Sequence, residues 1–213
     1  MCVVVRLDAL ELPPTFLEVV GFTDERQRDV EAFRCLLVQA NQQMNLVGDS
    51  TLKEFWVRHF VDSAQLLWFS PTSTVWADLG SGAGLPGLIL AILLKGRPGS
   101  TVHLIESMTK RCRFLSEVVQ ALDLPAVVHN GRAEALKLNV EMVTARACAP
   151  LERLLGYAQP YFARGARGLF LKGADVGSEI SQARKSWGFA FKTTGSLSDP
   201  RGRLLLVEEL RYA

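Results

Sequence analysis

An apolar strand, a glycine cluster and an apolar helix follow one another without interruption in residues 75–95, "VWADLGSGAGLPGLILAILLK". Four glycines, Gly80, Gly82, Gly84 and Gly87, fall within eight positions. Each costs backbone entropy on folding, so such density is explained when the chain must turn tightly and let a ligand approach where a Cβ would clash. Val75–Leu79 reads as the strand and Leu85–Lys95 as the helix, with Pro86 in the first turn, where no backbone N–H is required. In an open parallel sheet the ligand lies beyond the carboxyl ends of the strands, so this turn marks the expected site.

The rest of the chain repeats the same alternation. Strands are expected at Thr101–Ile105, ending on Glu106, and at Ala126–His129, Met142–Ala147 and Gly168–Leu171, with helices at Lys110–Leu122, Leu151–Phe162 and Val176–Trp187. Such a pattern predicts an α/β fold, a parallel sheet covered by helices on both faces. Two late strands, Phe189–Thr194 and Leu204–Leu210, are joined by the short turn Ser198–Gly202 and should pair antiparallel. Ahead of the glycine turn, Asp24 is read as the cap of a helix with Val30, Phe33, Leu37, Ala40 and Met44 inward, broken at Asn45 and Gly48. Thr51–Glu54 reads as a capping box for a second helix carrying Phe55, Phe60, Ala64 and Leu67 inward, ended by Pro71. Residues 1–72 are thus expected to form a helical cap ahead of residues 73–213, the whole being one compact unit.

The 213 residues suffice for one domain with a real core, and apolar and charged fractions of 48% and 22% are those of a globular protein. The longest apolar run, Leu88–Leu94, is far short of the ~20 residues that cross a bilayer. The first residues lack the basic start of a signal peptide. Cys2, Cys35, Cys112 and Cys148 are scattered, with no C-x-x-C pair, and read as free thiols in a reducing cytoplasm with no metal site. A net charge of +2 neither requires nor excludes nucleic acid.

Two cofactors compete for the turn. Gly82, Gly84 and Gly87 fit the dinucleotide fingerprint G-x-G-x-x-G, whereas Asp78 with Gly80, Gly82 and Gly84 fits the acid-led glycine turn of methyl-transferring enzymes. An acid at the strand tip repels a pyrophosphate but suits the ammonium and sulfonium of S-adenosylmethionine. Glu106, ending the second strand, can accept both ribose hydroxyls of either cofactor. Asn130–Glu134 follows the third strand, where it can frame an adenine. An NAD-dependent oxidoreductase would also need a substrate region of ~100 residues or more beyond the nucleotide half. The balance favours S-adenosylmethionine.

"NLVGDSTLKEFWVRHFVDS" (45–63), "DLGSGAGLPGL" (78–88), "VHLIESMTKRCRFL" (102–115), "NGRAEAL" (130–136), "VTARACAPLERLL" (143–155) and "LFLKG" (169–173) together resemble the bacterial RsmG (GidB) family. The resemblance implies a Rossmann-like class I S-adenosylmethionine-dependent methyltransferase with a mostly parallel seven-stranded sheet and an N-terminal helical cap. It implies an enzyme that methylates a guanine N7 of 16S ribosomal RNA, naked or in the small-subunit particle; from composition the protein is expected to be cytoplasmic, and it is expected to be a monomer. It also implies cofactor contacts at Gly80, Leu85, Ala133, Glu134 and Arg146, beside Asp78, Gly82 and Glu106 read from the turn. A small-molecule methyltransferase on the same fold is the alternative.

Guanine N7 carries a lone pair and no proton, so alignment and exclusion of water suffice and no general base is needed. That accords with a sequence showing no Ser-His-Asp set and no carboxylate pair. Arg58, His59, Asp62 and Ser63 are the sharpest constellation outside the sheet: on a helix Arg58 faces Asp62 and His59 faces Ser63. By spacing alone this is equally an exposed ion pair beside a surface histidine; the family resemblance favours positioning at the target-base mouth. Arg146, inside an apolar run, must meet a carboxylate or a ligand, because an unpaired buried charge is expensive. Asn45 and Lys172 are candidate RNA contacts, with helix C-cap and solvated strand end as their plain readings. Lys110–Arg113 and Arg164 with Arg167 are further basic patches. Cys148 would be a nucleophile if carbon were the target, but between two alanines it reads as an inert small residue.

Overall fold

The structure, a computed structural model, describes residues 11–213; Cys2 lies outside the described residues. Seven strands form one sheet in the order β3-β2-β1-β4-β5-β7-β6. They are β1 (Val75–Leu79), β2 (Thr101–Glu106), β3 (Ala126–Asn130), β4 (Met142–Thr144), β5 (Arg167–Lys172), β6 (Trp187–Gly195) and β7 (Arg203–Tyr212). The first five run parallel, and β7 pairs antiparallel with both β5 and β6. Strand order reverses between β1 and β4, which opens a crevice at their carboxyl ends.

Every residue of α5 (Gly87–Leu94) is buried. A helix apolar all round must be covered on every side, and here the sheet lies beneath it and the N-terminal helices above. Those are α1 (Phe16–Val19), α2 (Asp24–Met44), α3 (Asp49–Lys53), a π-helical segment Trp56–Val61 and α4 (Asp62–Phe69). Phe16, Phe33, Leu37, Phe60 and Leu67 share one core with Leu88–Leu94, Trp76 and Leu104. Also on that side, α6 (Thr109–Ala121) adds Phe114, Leu115 and Val118. The opposite face packs Ala77, Leu79, Ile105 and Val143 against α7 (Leu151–Phe162) and α8 (Val176–Ala183). Among the described residues no helix is long and apolar enough to cross a membrane.

The expected strands are all present, and Val75–Leu79 keeps both boundaries. The expected fourth strand is shorter: its ladder stops at Thr144, Arg146 makes an isolated bridge to Leu171, and Ala147 turns away at φ 50°. The last α/β helix ends at Ala183, and Trp187 already belongs to β6. Helix starts differ most. Thr23, in extended backbone, caps α2 by accepting the Arg26 N–H at 3.3 Å, and Asp24 is the first helical residue. Asn45 is the left-handed C-cap of α2 at φ 46°. Thr51 does not open a capping box: α3 begins at Asp49, and the Thr51 hydroxyl donates to the Gly48 carbonyl at 2.7 Å. The next helix opens as a π-turn, with the Asp62 N–H reaching back to the Val57 carbonyl.

Gly87 marks where α5 touches β1. A Cβ there would lie 2.3 Å from Leu104 Cδ2 and 2.7 Å from Asp78 Oδ2. Gly87→Ala should therefore cost about 1–3 kcal/mol through overpacking, seen as a lower urea midpoint at unchanged slope. An unchanged midpoint would mean that α5 is free to move off the strand.

Candidate functional site

Backbone conformation explains the turn's composition. Gly80, Gly82 and Gly84 adopt φ of 69°, 53° and 84°, left-handed values that side chains rarely tolerate. The N–H groups of Gly80 and Ser81 both donate to the Ile105 carbonyl, at 2.9 and 3.0 Å, lacing the turn to β2. A Cβ on Gly80 would lie 2.6 Å from Cys148 Sγ, so the turn and the segment after β4 are in close apposition. Between them opens a cleft of about 1250 Å³. Gly80–Ala83 and Leu85 form one wall, residues 146–150 and 171–175 another, with Arg58, His59 and Asp62 from the cap, Ser198, Asp199, Arg201 and Gly202 from the β6–β7 turn and Arg203 at the start of β7 closing it.

Asp78 lies beneath this turn and does not line the cleft. It is fully buried, and Oδ2 accepts the Gly87 N–H at 3.0 Å, giving α5 the N-terminal acceptor that Pro86 at its cap lacks. Burial holds its carboxyl up to about 7, against the stabilising pull of the Gly87 N–H, and Oδ1 has no partner among the described residues. Glu106, 5% exposed, accepts the Gly82 N–H at 3.1 Å and the Met108 N–H at 2.8 Å, with Arg111 at 3.7 Å. Ala133 and Glu134 occupy a 3-10 turn after β3, outside the cleft walls; the Ala133 carbonyl accepts the Tyr161 hydroxyl at 2.9 Å. Burial and then the charges of Asp78, Glu106 and Glu134 push the Cys148 thiol up, with Lys172 opposing them. Three acidic residues thus bear on the thiol beside the glycine turn.

Arg146 finds its acceptors in the cap. Its Nη1 donates to the Arg58 carbonyl at 2.9 Å, His59 Nδ1 at 3.1 Å and Asp62 Oδ2 at 3.2 Å. The expected Arg58–Asp62 pair is replaced: Arg58 meets Asp199 at 3.3 Å, and Asp62 takes Arg146 and the Ser198 hydroxyl, the latter at 2.6 Å. The π-turn accounts for this, since i→i+5 winding moves residues four apart out of register. His59 is 3% exposed, and because a guanidinium has no acceptor its Nδ1 must carry the lone pair. Nε2–H then donates to Thr51 Oγ1 at 3.0 Å. Burial and the Arg146 charge lower His59 to about 4, so it is neutral at physiological pH. Ser63, expected to face His59, is buried, its hydroxyl unpartnered among the described residues.

Comparison with known proteins decides the family. The model of GidB, rRNA small subunit methyltransferase G, matches residues 26–199. A Caulobacter vibrioides protein named ribosomal RNA small subunit methyltransferase G is 57% identical over 195 residues, covering 92% of this chain and 90% of the relative. The protein of that name from Parvibaculum lavamentivorans is 45% identical, covering 84% and 81%. The chain belongs to the rRNA small subunit methyltransferase G family. Among solved structures, a MtNAS variant in complex with S-adenosylmethionine superposes with a TM-score of 0.56 at 17% identity, over 86% of this chain and 76% of that one. Magnesium protoporphyrin IX methyltransferase from Synechocystis gives 0.54 at 15% identity, over 88% and 98%. The fold is thus that of class I methyltransferases, and the family makes this chain an S-adenosylmethionine-dependent methyltransferase.

Other expected residues of the methyltransferase fall differently. Lys172 lines the cleft, but its ammonium is bound to Glu179, which also accepts the Leu151 N–H at 2.7 Å. It holds α7 and α8 to the strand end. Asn45 is exposed and outside the cleft walls, while its neighbours Leu46 and Val47 line them. Arg111 reaches the cleft, whereas Arg167 begins β5 at the far end of the sheet and pairs with Glu208 at 3.7 Å. Sequence reading missed Gln65, which accepts the Leu197 N–H at 2.8 Å and fixes the β6–β7 turn, as well as Arg201 in that turn and Arg203 at the start of β7. It also missed Met108, an apolar side chain 52% exposed two residues after Glu106. "PRGR" (200–203) and a methionine two residues beyond a strand-ending acid were the available signals.

His59 and Asp78 give opposite pH dependences. His59 is depressed from 6.5 to about 4, so the unfolded chain takes up the proton first and stability is lost as pH falls through that window. Asp78 is raised from 3.8 to about 7, so the folded protein holds the proton and stability is lost as pH rises over nearly the same range. Wild type should show a shallow profile between about pH 5 and 7.5. On acidification across that range His59→Gln should lose about 2 kcal/mol less than wild type, and Asp78→Asn should lose more. Parallel profiles for all three in thermal or urea unfolding would refute both assignments.

Proposed function

We propose that the protein transfers a methyl group from S-adenosylmethionine to N7 of a guanine in 16S ribosomal RNA. The observation that carries this reading is the charge division of the cleft: acids surround the glycine turn, and arginines surround the mouth. A cationic cofactor fits the first region. Asp78, Glu106 and Glu134 all raise the neighbouring Cys148 thiol; a pyrophosphate at the turn would approach the Glu106 carboxylate and be repelled, and the Gly82 N–H it would need is already given to Glu106.

In this reading Glu106 accepts the ribose hydroxyls with the lone pairs that Gly82 and Met108 leave free, and Met108 covers an adenine framed by Ala133 and Glu134. Gly80, Gly82 and Leu85 let the methionine end approach, and Arg146 holds the mouth together. The bound cofactor supplies an electrophilic methyl on sulfonium. Residues 11–72 act as the cap over the methyltransferase half, 73–213, and position the base through Arg58, His59 and Asp62. No side chain need take a proton from N7. His59 accords with that, since both its ring nitrogens are engaged and it stays neutral.

The mouth favours RNA over a small molecule. Six cationic side chains line the cleft against four acidic ones, and Arg201 is 80% exposed at its edge. Polyanions are drawn to such a rim. The defining test is a map of guanine N7 methylation in small-subunit ribosomal RNA with and without the protein.

Glu106→Gln keeps the shape and removes the charge, so S-adenosylhomocysteine affinity by calorimetry should fall about tenfold or more. Affinity within about twofold of wild type would show that the carboxylate serves the turn alone. For the chemical step, single-turnover rates at saturating cofactor and RNA should be flat from about pH 6.5 to 8.5, because base catalysis would impose a titration. Cys148→Ala should keep most of that rate; a covalent RNA adduct, or lost methylation in the folded variant, would point to carbon as the target instead.

A further inference from the structure

A second cavity, of about 590 Å³, lies between the cap and the β6–β7 turn, beside the cofactor cleft and sharing Arg58, Ser198, Asp199 and Arg201 with it. It has an apolar floor and a cationic edge. Trp56 forms part of the lining and is 5% exposed, held edge-on against Phe22, Phe55 and Phe60 at 6.2, 6.0 and 5.1 Å between centroids. Its Nε1–H is buried without an acceptor among the described residues, a donor that native proteins seldom leave unmatched. Val57 and Pro200 add apolar surface. Above them stand Lys53, Arg58 and Arg201, against Glu54 and Asp199.

One carboxylate, Asp199, serves two guanidinium groups: Arg58 at 3.3 Å and Arg201 at 3.7 Å. It orients both and can neutralise one of them. With Glu54 beside Lys53, three cations face two acids, and the unmatched positive charge calls for an anion, while the floor calls for a flat apolar group carrying an acceptor. A nucleotide combines the two, and single-stranded RNA is recognised by splaying its bases into such sites. Adjacency to the cleft sets which nucleotide it is.

We propose that this cavity is a subsite for the nucleotide flanking the methylated guanine, with its phosphate on Lys53 and Arg201 and its base over Val57 and Pro200 towards Trp56. The assignment rests on the RNA substrate proposed above. It gives the β6–β7 turn a role in choosing sequence context, separate from the cofactor and from the methyl-transfer step.

The test uses the full-length protein and a fluorescent fragment of small-subunit ribosomal RNA containing the methylated guanine. Lys53 and Arg201 are both exposed, so the double substitution Lys53→Ala with Arg201→Ala leaves the core intact. It should weaken RNA binding about tenfold and lower the slope of log affinity against log salt by about 0.7 for each phosphate no longer neutralised. S-adenosylhomocysteine affinity should not change. Replacing the flanking nucleotide by an abasic one should weaken wild type and leave the double variant nearly unaffected. RNA affinity and salt slope unchanged within about twofold would overturn the subsite. If wild type binds the fragment but transfers no methyl to it, the proposed reaction fails, and the slope of the variant still judges the subsite on its own.

Discussion

The guanidinium of Arg146 is the joint on which the cleft is assembled. It projects from the point where β4 leaves its ladder, and three acceptors of the Arg58–Asp62 turn converge on one of its nitrogens. A half-buried cation with fewer partners would be costly, so the sheet and the cap are locked at a fixed separation. The constraint spreads further. Asp62 carries the Ser198 hydroxyl and Gln65 carries the Leu197 N–H, so the β6–β7 turn is held by the same stretch of helix. His59 passes the constraint on to Thr51, and Thr51 to Gly48, fixing the segment that ends α2.

Charge is segregated across this joint. Acidic groups cluster under and beside the glycine turn, where desolvation raises Asp78 to about 7 and the carboxylates raise Cys148. Arginines and the ion-paired Lys172 occupy the outer walls. A site that must hold a sulfonium while approaching a polyanion needs such a division, since a single sign of potential would favour one ligand at the expense of the other. At the rim one acid, Asp199, serves two cations, Arg58 and Arg201.

Much of the sheet was legible because its signals are local. A run such as Val75–Leu79 is bounded by glycine on one side, and period and length suffice to mark it. The antiparallel closing pair followed from a short turn that could join strands in no other sense. Helix starts were less legible. Thr23 and Asp24 are both good caps, and their sequence is silent on which of them takes extended backbone. The π-turn at Trp56–Val61 has no compositional mark at all: it arises where Arg58, His59 and Asp62 each find a distant partner.

The sequence by itself determined the glycine turn, the acid that ends β2 and the family to which the chain belongs, because each rests on residues adjacent in the chain. It also required that Arg146 meet a carboxylate or a ligand. Which carboxylate was a tertiary matter. Spacing paired Asp62 with Arg58, four residues away, but the fold brings Arg146 from 84 residues away and Ser198 from 136. Asp78 likewise read as a ligand-facing acid, yet the close approach of Gly87 turns its carboxylate into the buried cap of α5. Side chains near a helix or strand end choose among several partners, and the choice is made by what packing removes from water, which no local pattern records.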